Sequence, residues 1–323
     1  MDRRKFLLAG SAGVAGAWVG STTLGSHILG SPAPGEWLPN SWGFDWAFAV
    51  VPPLAQKVNA FDTVELGKTG IRTSRLAMGT GTVGTGHHSN QTALGVKGLS
   101  GLLLNGYDHG LRFFDSADTY GSHPHVAEAL KHVPRDKVTV LTKTFSRDPK
   151  SAREDLDRFR RELGVDYIDI CLMHCLTEGD WTERFRGVMD VLSEAKEKGI
   201  IRAHGCSCHS IEALRVAAKS PWVEVDLARI NPIGSHMDAS PQEVVGVLRE
   251  MKAAGKGVIG MKILGQGDLR GRVDDAIRYA LSLGVLDAFT IGAANYAECF
   301  TDILSSLFLT KTPSKQNLDG VTF

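Results

Sequence analysis

FFDSADTYG, residues 113–121, decides the reading of this chain. Two β-prone aromatic residues lead into an acid, Asp115; a phenol follows at Tyr120, and Gly121 closes a turn. The stretch has the form of a strand that delivers two chemically active side chains to the loop beyond it. Two later runs end alike: VTVLTKT delivers Lys143, and YIDICLMH delivers His174. A carboxylate, a phenol, an amine and an imidazole at the C-terminal ends of different strands meet at one mouth if those strands close into a barrel. Such a set can donate a proton.

The rest of the chain supports closure. Apolar runs alternate with helical patterns, with strands expected near 75–80, 113–118, 138–144, 168–174, 203–208, 225–231, 257–264 and 288–293. SAREDLDRFRREL places Leu156, Phe159 and Leu163 on one helical face, and TERFRGVMDVLSEAKEKG does the same with Phe185, Val188, Val191, Leu192 and Ala195. Ser151 and Thr182 read as N-caps, and Gly199 as the stop of the second helix. Strands alternating with helices pair in parallel, so the expected class is α/β, a (β/α)8 TIM barrel.

At 323 residues and 43% apolar side chains, the chain can bury one large core, with room for an N-terminal extension beside a barrel of about 250 residues. Thirty-six basic residues balance thirty-six acidic ones, and no basic run follows the first few positions, so nothing directs the protein to nucleic acid or an anionic membrane surface. The opening MDRRKFLLAGSAGVAGAWVG joins Arg3 and Arg4 to Phe6, Leu7 and Leu8 and a Gly/Ala-rich run. Residues 1–25 therefore read as a twin-arginine signal region, which implies export machinery as a partner and a periplasmic or extracytoplasmic location. No cysteine precedes Cys171, which argues against a lipoprotein anchor; an uncleaved membrane anchor stays open, although the run falls short of about 20 strongly apolar residues. Residues 26–61 form a Pro/Trp-rich linker, in which Pro32, Pro34, Pro39, Pro52 and Pro53 interrupt Trp37, Trp42 and Trp46, and residues 62–323 form the barrel. The five cysteines, at 171, 175, 206, 208 and 299, are too few for a disulfide framework. Cys175, Cys208 and His209 invite a metal reading, but the spacing matches no paired CxxC pattern, so ordinary thiols and no metal are expected.

From about Phe61 to near the C-terminus, the ordered motifs resemble the aldo-keto reductase family. LGKTGIRTSRLAMGT is similar to that family's opening hairpin and first barrel strand, and FFDSADTYG, the pair Thr142–Lys143 and LMH ending at His174 are similar to its catalytic motifs. The resemblance implies a nicotinamide-dependent oxidoreductase, using NADP or NAD, that reduces a small aldehyde, ketone or sugar-like carbonyl or runs the reverse alcohol oxidation. It assigns proton donation to Tyr120, assisted by Lys143, with Asp115 orienting the lysine and His174 the carbonyl.

On the cofactor side, Ser207 matches the family serine that bonds the nicotinamide carboxamide, while the neighbouring asparagine is replaced by Cys208 and the family glutamine by Leu227. Arg229 shares that glutamine's strand parity and either substitutes for it or pairs with a substrate carboxylate. Asn231 belongs to a further family motif, Met261 or Lys262 falls where a side chain stacks on the nicotinamide, and Gly265 and Gly267 suit approach to the pyrophosphate. Gly292, Asn295 and Glu298 match the adenosine-ribose segment, but Ala294 stands at its basic position, which weakens NADPH recognition. His87, His88, His123, His125 and Trp181 fall in mouth loops, where they would suit polyhydroxylated ligands. Two other readings stay open: a tightly bound, recycled cofactor serving an epimerase-like reaction, and a non-catalytic nucleotide-binding regulator.

Overall fold

A computed structural model describes residues 58–295. An antiparallel hairpin, β1 (Thr63–Glu65) and β2 (Arg72–Ser74), precedes eight barrel strands. These are β3 (Leu76–Gly79), β4 (Phe113–Asp115), β5 (Thr139–Thr144), β6 (Ile168–Leu176), β7 (Ile201–Cys208), β8 (Val225–Arg229), β9 (Gly257–Met261) and β10 (Ala288–Ile291). Every pairing is parallel, each strand lies beside its sequence neighbour, and β10 closes on β3. The expected (β/α)8 barrel is therefore the observed fold.

Several strands end earlier than their apolar runs suggest. β4 ends at Asp115, and Ser116 beyond it still holds β5, its N–H and hydroxyl both donating to Leu141 O at 2.8 Å. Strand periodicity sorts the side chains. Phe113, Leu141, Ile170, Leu172, Val225 and Leu227 fill the barrel interior, and Leu66 and Ile71 of the hairpin join that same buried cluster. Alternate residues such as Phe114, Val140 and Cys171 pack outward against the helices.

The helices are α1 (Gly95–Asp108), α2 (His123–Leu130), α3 (Pro149–Leu163), α4 (Trp181–Arg184), α5 (Arg186–Glu197), α6 (Ile211–Lys219), α7 (Pro241–Ala253) and α8 (Val273–Ser282). α3 buries Leu156, Phe159 and Leu163, as its periodicity requires. Its cap is not Ser151 but Asp148, which accepts from the Ser151 N–H at 3.0 Å. Pro149 can occupy the first turn because its missing N–H would have had no helical partner. Thr182 is likewise no cap: it lies inside α4, and the chain breaks at the buried Phe185 (φ −109°, ψ 24°) before α5 begins. Gly199, at φ +71°, does follow the end of α5.

The mouth expected from histidine and tryptophan is largely absent. Trp181 is 0% exposed, its indole N–H donating to Ala213 O at 3.2 Å. His123 is buried between Glu162 and Thr142, at 2.7 Å from each, and His125 is buried as well. Of this group, only His87 and His88 are exposed. The signal region and nearly all of the linker lie outside the described residues, among which no helix is long and apolar enough to cross a membrane.

Trp181→Ala should cost about 3–5 kcal/mol, the usual loss for emptying a core indole site. Denaturant unfolding measures this, and a loss below about 1 kcal/mol would show that the indole does not support the barrel wall.

Candidate active site

The ends of β4, β5 and β6 bring Asp115, Lys143 and His174 to one mouth, and a single helical turn, Asp118–Tyr120, adds the phenol. Lys143 is 0% exposed, and its ammonium donates to Asp115 Oδ1 at 2.5 Å and Ser116 O at 2.7 Å. The second carboxylate oxygen, Asp115 Oδ2, accepts from the Thr290 hydroxyl at 2.9 Å. Lys143 Nζ lies 4.8 Å from the centre of the Tyr120 ring. Burial pulls the Lys143 ammonium down, but Asp115 and then Tyr120 more than offset it, so the group stays protonated above its ordinary value.

For Tyr120, burial is the strongest influence and holds the phenol above its ordinary value, while Lys143 pulls in the opposite direction. His174 sits well below the usual imidazole range, mainly through burial and then through the Lys143 charge, and is therefore neutral at pH 7. Its Nδ1 lies 3.4 Å from the Thr119 hydroxyl, and its ring meets Tyr120 edge-on at 5.6 Å.

The turn carrying Tyr120 is held from several sides. Arg158 of α3 donates to Asp118 and Asp155 at 2.7 Å and to Glu162 at 3.1 Å. His87 N donates to Thr119 O at 2.9 Å. The phenol ring rests on bare backbone: a Cβ at Gly81 would fall 2.1 Å from Tyr120 Cε2, and one at Gly84 would fall 2.3 Å from Cδ1. Sequence reasoning missed these two glycines, although the spacing in GTGTVGTG was their signal. It also missed Arg147, whose guanidinium donates to His174 O at 2.5 Å and stacks on Phe145 and Phe185.

A cavity of about 660 Å³ is bounded by Asp115 and Tyr120, by Met261 and Lys262, and by Gly267 and Arg270. Gly292 and Ala294 also border it. Its size suits a small-molecule or cofactor site. Met261, Lys262, Gly267 and Gly292, which the sequence reading gives as cofactor contacts, all border this cavity, with Gly265 at the start of the Gly267 turn. A Cβ at Gly292 would fall 2.6 Å from Thr82 Oγ1 and 2.8 Å from Gln91 Nε2, so bare backbone is needed there. Gln91 accepts from Thr82 N and donates to Thr82 Oγ1, pinning the first mouth loop across from Gly292. The Lys262 ammonium is pulled down by burial and then by Arg229. A lysine and an arginine bordering a glycine-lined groove fit the phosphates of a dinucleotide.

Two expected cofactor contacts are placed elsewhere. Ser207 faces the mouth side, its hydroxyl accepting from Cys175 N at 3.2 Å. Because side chains alternate along β7, Cys208 must then face outward, and its Sγ lies 3.8 Å from Cys206 Sγ and 3.8 Å from Asp226 Oδ1. Asn231 is 0% exposed and internally satisfied: its amide donates to Ser235 O and Lys262 O, and its oxygen accepts from Ile233 N and Ser235 N. It shapes the loop under Lys262 and has no free amide for a ligand. Arg229 pairs with buried Asp238. Asn295 is exposed at the end of the described residues, and Glu298 lies outside them. Near the mouth, Cys175 adopts φ +56° where the register of β6 shifts, with its thiol 3.4 Å from His209 Nδ1. Burial pushes the thiol up and the His209 imidazole down to about 4, so both are neutral at pH 7.

Removing the Lys143 charge takes away an influence that favours phenolate. Lys143→Met should therefore shift the Tyr120 titration to higher pH, read as the tyrosinate absorbance that disappears in a matched Tyr120→Phe variant. An unchanged titration would mean that the lysine does not act on the phenol.

Comparison with known proteins agrees with the barrel fold. The model of the Aldo/keto reductase family matches residues 75–283, well over half of the chain. An NADH-specific methylglyoxal reductase from Escherichia coli is 28% identical over 187 residues, 51% of this chain and 56% of that protein. An aldo-keto reductase from Mycolicibacterium paratuberculosis is 34% identical over 129 residues, 35% of this chain and 42% of that one. The chain thus spans about half the length of these curated relatives. A solved structure from Pseudomonas aeruginosa, described as an aldo-keto reductase, superposes with a TM-score of 0.65 at 20% identity, covering 79% of this chain and 99% of that one. With the closed barrel and the family match in agreement, the chain belongs to the aldo/keto reductase family.

Proposed function

We propose that this protein is an exported NAD(P)H-dependent reductase of small aldehydes and ketones, with Tyr120 as the proton donor. The observation that carries the reading is the buried Lys143 ammonium, held by Asp115 and set 4.8 Å from the Tyr120 ring at the edge of the groove. A bound dihydronicotinamide would supply hydride to the carbonyl carbon. The carbonyl oxygen then needs a proton, and the phenol supplies it while Lys143 stabilises the phenolate left behind. Neutral His174, with Nδ1 beside the Thr119 hydroxyl, would orient the carbonyl oxygen through Nε2. Ser207, Met261 and Lys262 would hold the nicotinamide end, and Gly265, Gly267 and Arg270 the phosphates. Burial of Trp181, His123 and His125 leaves little to recognise a sugar. Exposed Phe145, 6.1 Å from the His174 ring, suits a compact carbonyl such as the substrate named for the Escherichia coli relative.

Neither nucleotide is strongly favoured. Ala294 gives no cation for a 2′-phosphate, whereas Arg270 on the same cavity offers one from another segment. Tyr120→Phe should lower kcat about 10²–10⁴-fold with either nucleotide, the range for losing a general acid. Nucleotide affinity should remain, and the NADH and NADPH affinities should lie within about tenfold of each other. The wild-type kcat/KM for reduction should stay level from pH 6.5 upward and fall only above pH 10, because His174 titrates below its ordinary 6.5 and Tyr120 above its ordinary 10.0. Full activity in the phenylalanine variant sinks the proton-donor assignment.

Export rests on Arg3 and Arg4 ahead of the weakly apolar run. A route for folded proteins suits an enzyme whose cofactor is made in the cytoplasm. Replacing both arginines with lysine should retain the protein in the cytoplasm, and unchanged fractionation overturns this part of the proposal.

A further inference from the structure

We infer that Cys206, Cys208 and Asp226 form a closed site for one zinc-class divalent cation, set in the barrel wall on the side opposite the groove. The strand geometry assembles it. Cys206 and Asp226 are direct register partners on β7 and β8, and the two-residue strand period puts Cys208 on the same outward face as Cys206. All three residues are 0% exposed.

Cys206 Sγ lies 3.4 Å from Asp226 Oδ1, Cys208 Sγ lies 3.8 Å from the same oxygen, and the two sulfurs are 3.8 Å apart. A tetrahedral zinc with bonds of about 2.3 Å to sulfur and about 2.0 Å to oxygen has a sulfur–sulfur edge of about 3.8 Å and sulfur–oxygen edges of about 3.5 Å. The cluster already has the edge lengths of such a polyhedron.

An independent feature points to a missing ligand. Asp226 Oδ2 is fully buried with no hydrogen-bond partner, which is unusual for a carboxylate oxygen. Asp238 Oδ2 shares that condition, but Asp238 pairs through Oδ1 with Arg229 and stands outside the three-residue cluster. Two thiolates, one carboxylate and a dication leave one negative charge, since the thiol and carboxyl protons depart as the metal binds. Buried Lys256, whose ammonium donates to Val223 O at 2.9 Å and acts on Cys206 and Asp226, supplies the balancing positive charge.

A disulfide is the competing explanation. The sulfurs stand well beyond the bonded separation of about 2.05 Å, and two residues on one extended strand cannot close it without distortion. The cation would tie β7 to β8 directly behind Ser207. Because the site is closed, it would fill as the chain folds.

The test uses the full chain, produced in minimal medium containing either zinc or cobalt(II) and purified without chelator. One metal per chain is expected. The cobalt protein should show thiolate-to-cobalt charge transfer in the near ultraviolet and the intense visible bands of a tetrahedral ion. Cys206→Ser combined with Cys208→Ser should abolish both, Asp226→Asn should reduce metal retention, and Cys175→Ser should keep the bands. X-ray absorption at the metal edge of the wild type, which needs no variant to fold, should find a two-sulfur shell. Little metal in either preparation, a shell without sulfur, bands that survive the double replacement, or an intact mass lighter by two hydrogens under non-reducing conditions would each overturn the site.

Discussion

The site depends on keeping an ammonium in a place that excludes water. An isolated buried lysine would shed its proton or destabilise the fold, because the effective desolvation penalty amounts to several kcal/mol per ion. Lys143 avoids this through two acceptors, Asp115 Oδ1 and Ser116 O, while Thr290 satisfies the other oxygen of Asp115. The pair therefore joins the consecutive strands β4 and β5 to β10, near the other end of the barrel sequence. Removing one partner of such a pair typically costs about 3–5 kcal/mol. The raised Lys143 value adds stability that is fully present below the lysine's ordinary titration range and is lost as pH rises through the folded value. The charge that steadies the mouth also acts on the phenol.

The phenol needs a different kind of support. A ring near a cation contributes little if the turn beneath it wanders, and here the turn is fixed by Arg158 on one side and by bare backbone on the other. Gly81 and Gly84 act through the absence of a side chain. Any Cβ at Gly81 would occupy the space of the ring edge and push the hydroxyl out of register with Lys143 and His174.

What the sequence disclosed divides along physical lines. Asp115, Lys143 and His174 were legible because a polar residue ending an apolar strand must leave the core at the strand's C-terminal end. Barrel closure then brings such ends together. Trp181 and His123 were misread because they open the helices α4 and α2 rather than lying in loops, and their burial depends on distant partners, here Ala213, Glu162 and Thr142, which no local pattern encodes. Asn231 resembled a ligand contact because its motif carries no sign that all its bonds are made within its own turn. Arg147 escaped notice because it reads as a solvated charge until its carbonyl acceptors on β6 are known.

Cys208 raises a subtler point, because its contacts rather than its motif decide its side of the strand. Its thiol lies beside Cys206 and Asp226 on the outer face, while the Ser207 hydroxyl accepts from Cys175 N on the other. Cys208 belongs to the outward set with Cys206 and Asp226, which leaves Ser207 as the residue of this strand that matches a family carboxamide contact. In the proposed function Ser207, Met261 and the Lys262 loop would orient the nicotinamide, and Asn231 braces that loop from below. The two faces of β7 thereby divide the work, the inner serving the ligand and the outer fixing the strand against β8. Because one backbone carries both, whatever holds Cys206 and Cys208 in place also sets the position of Ser207.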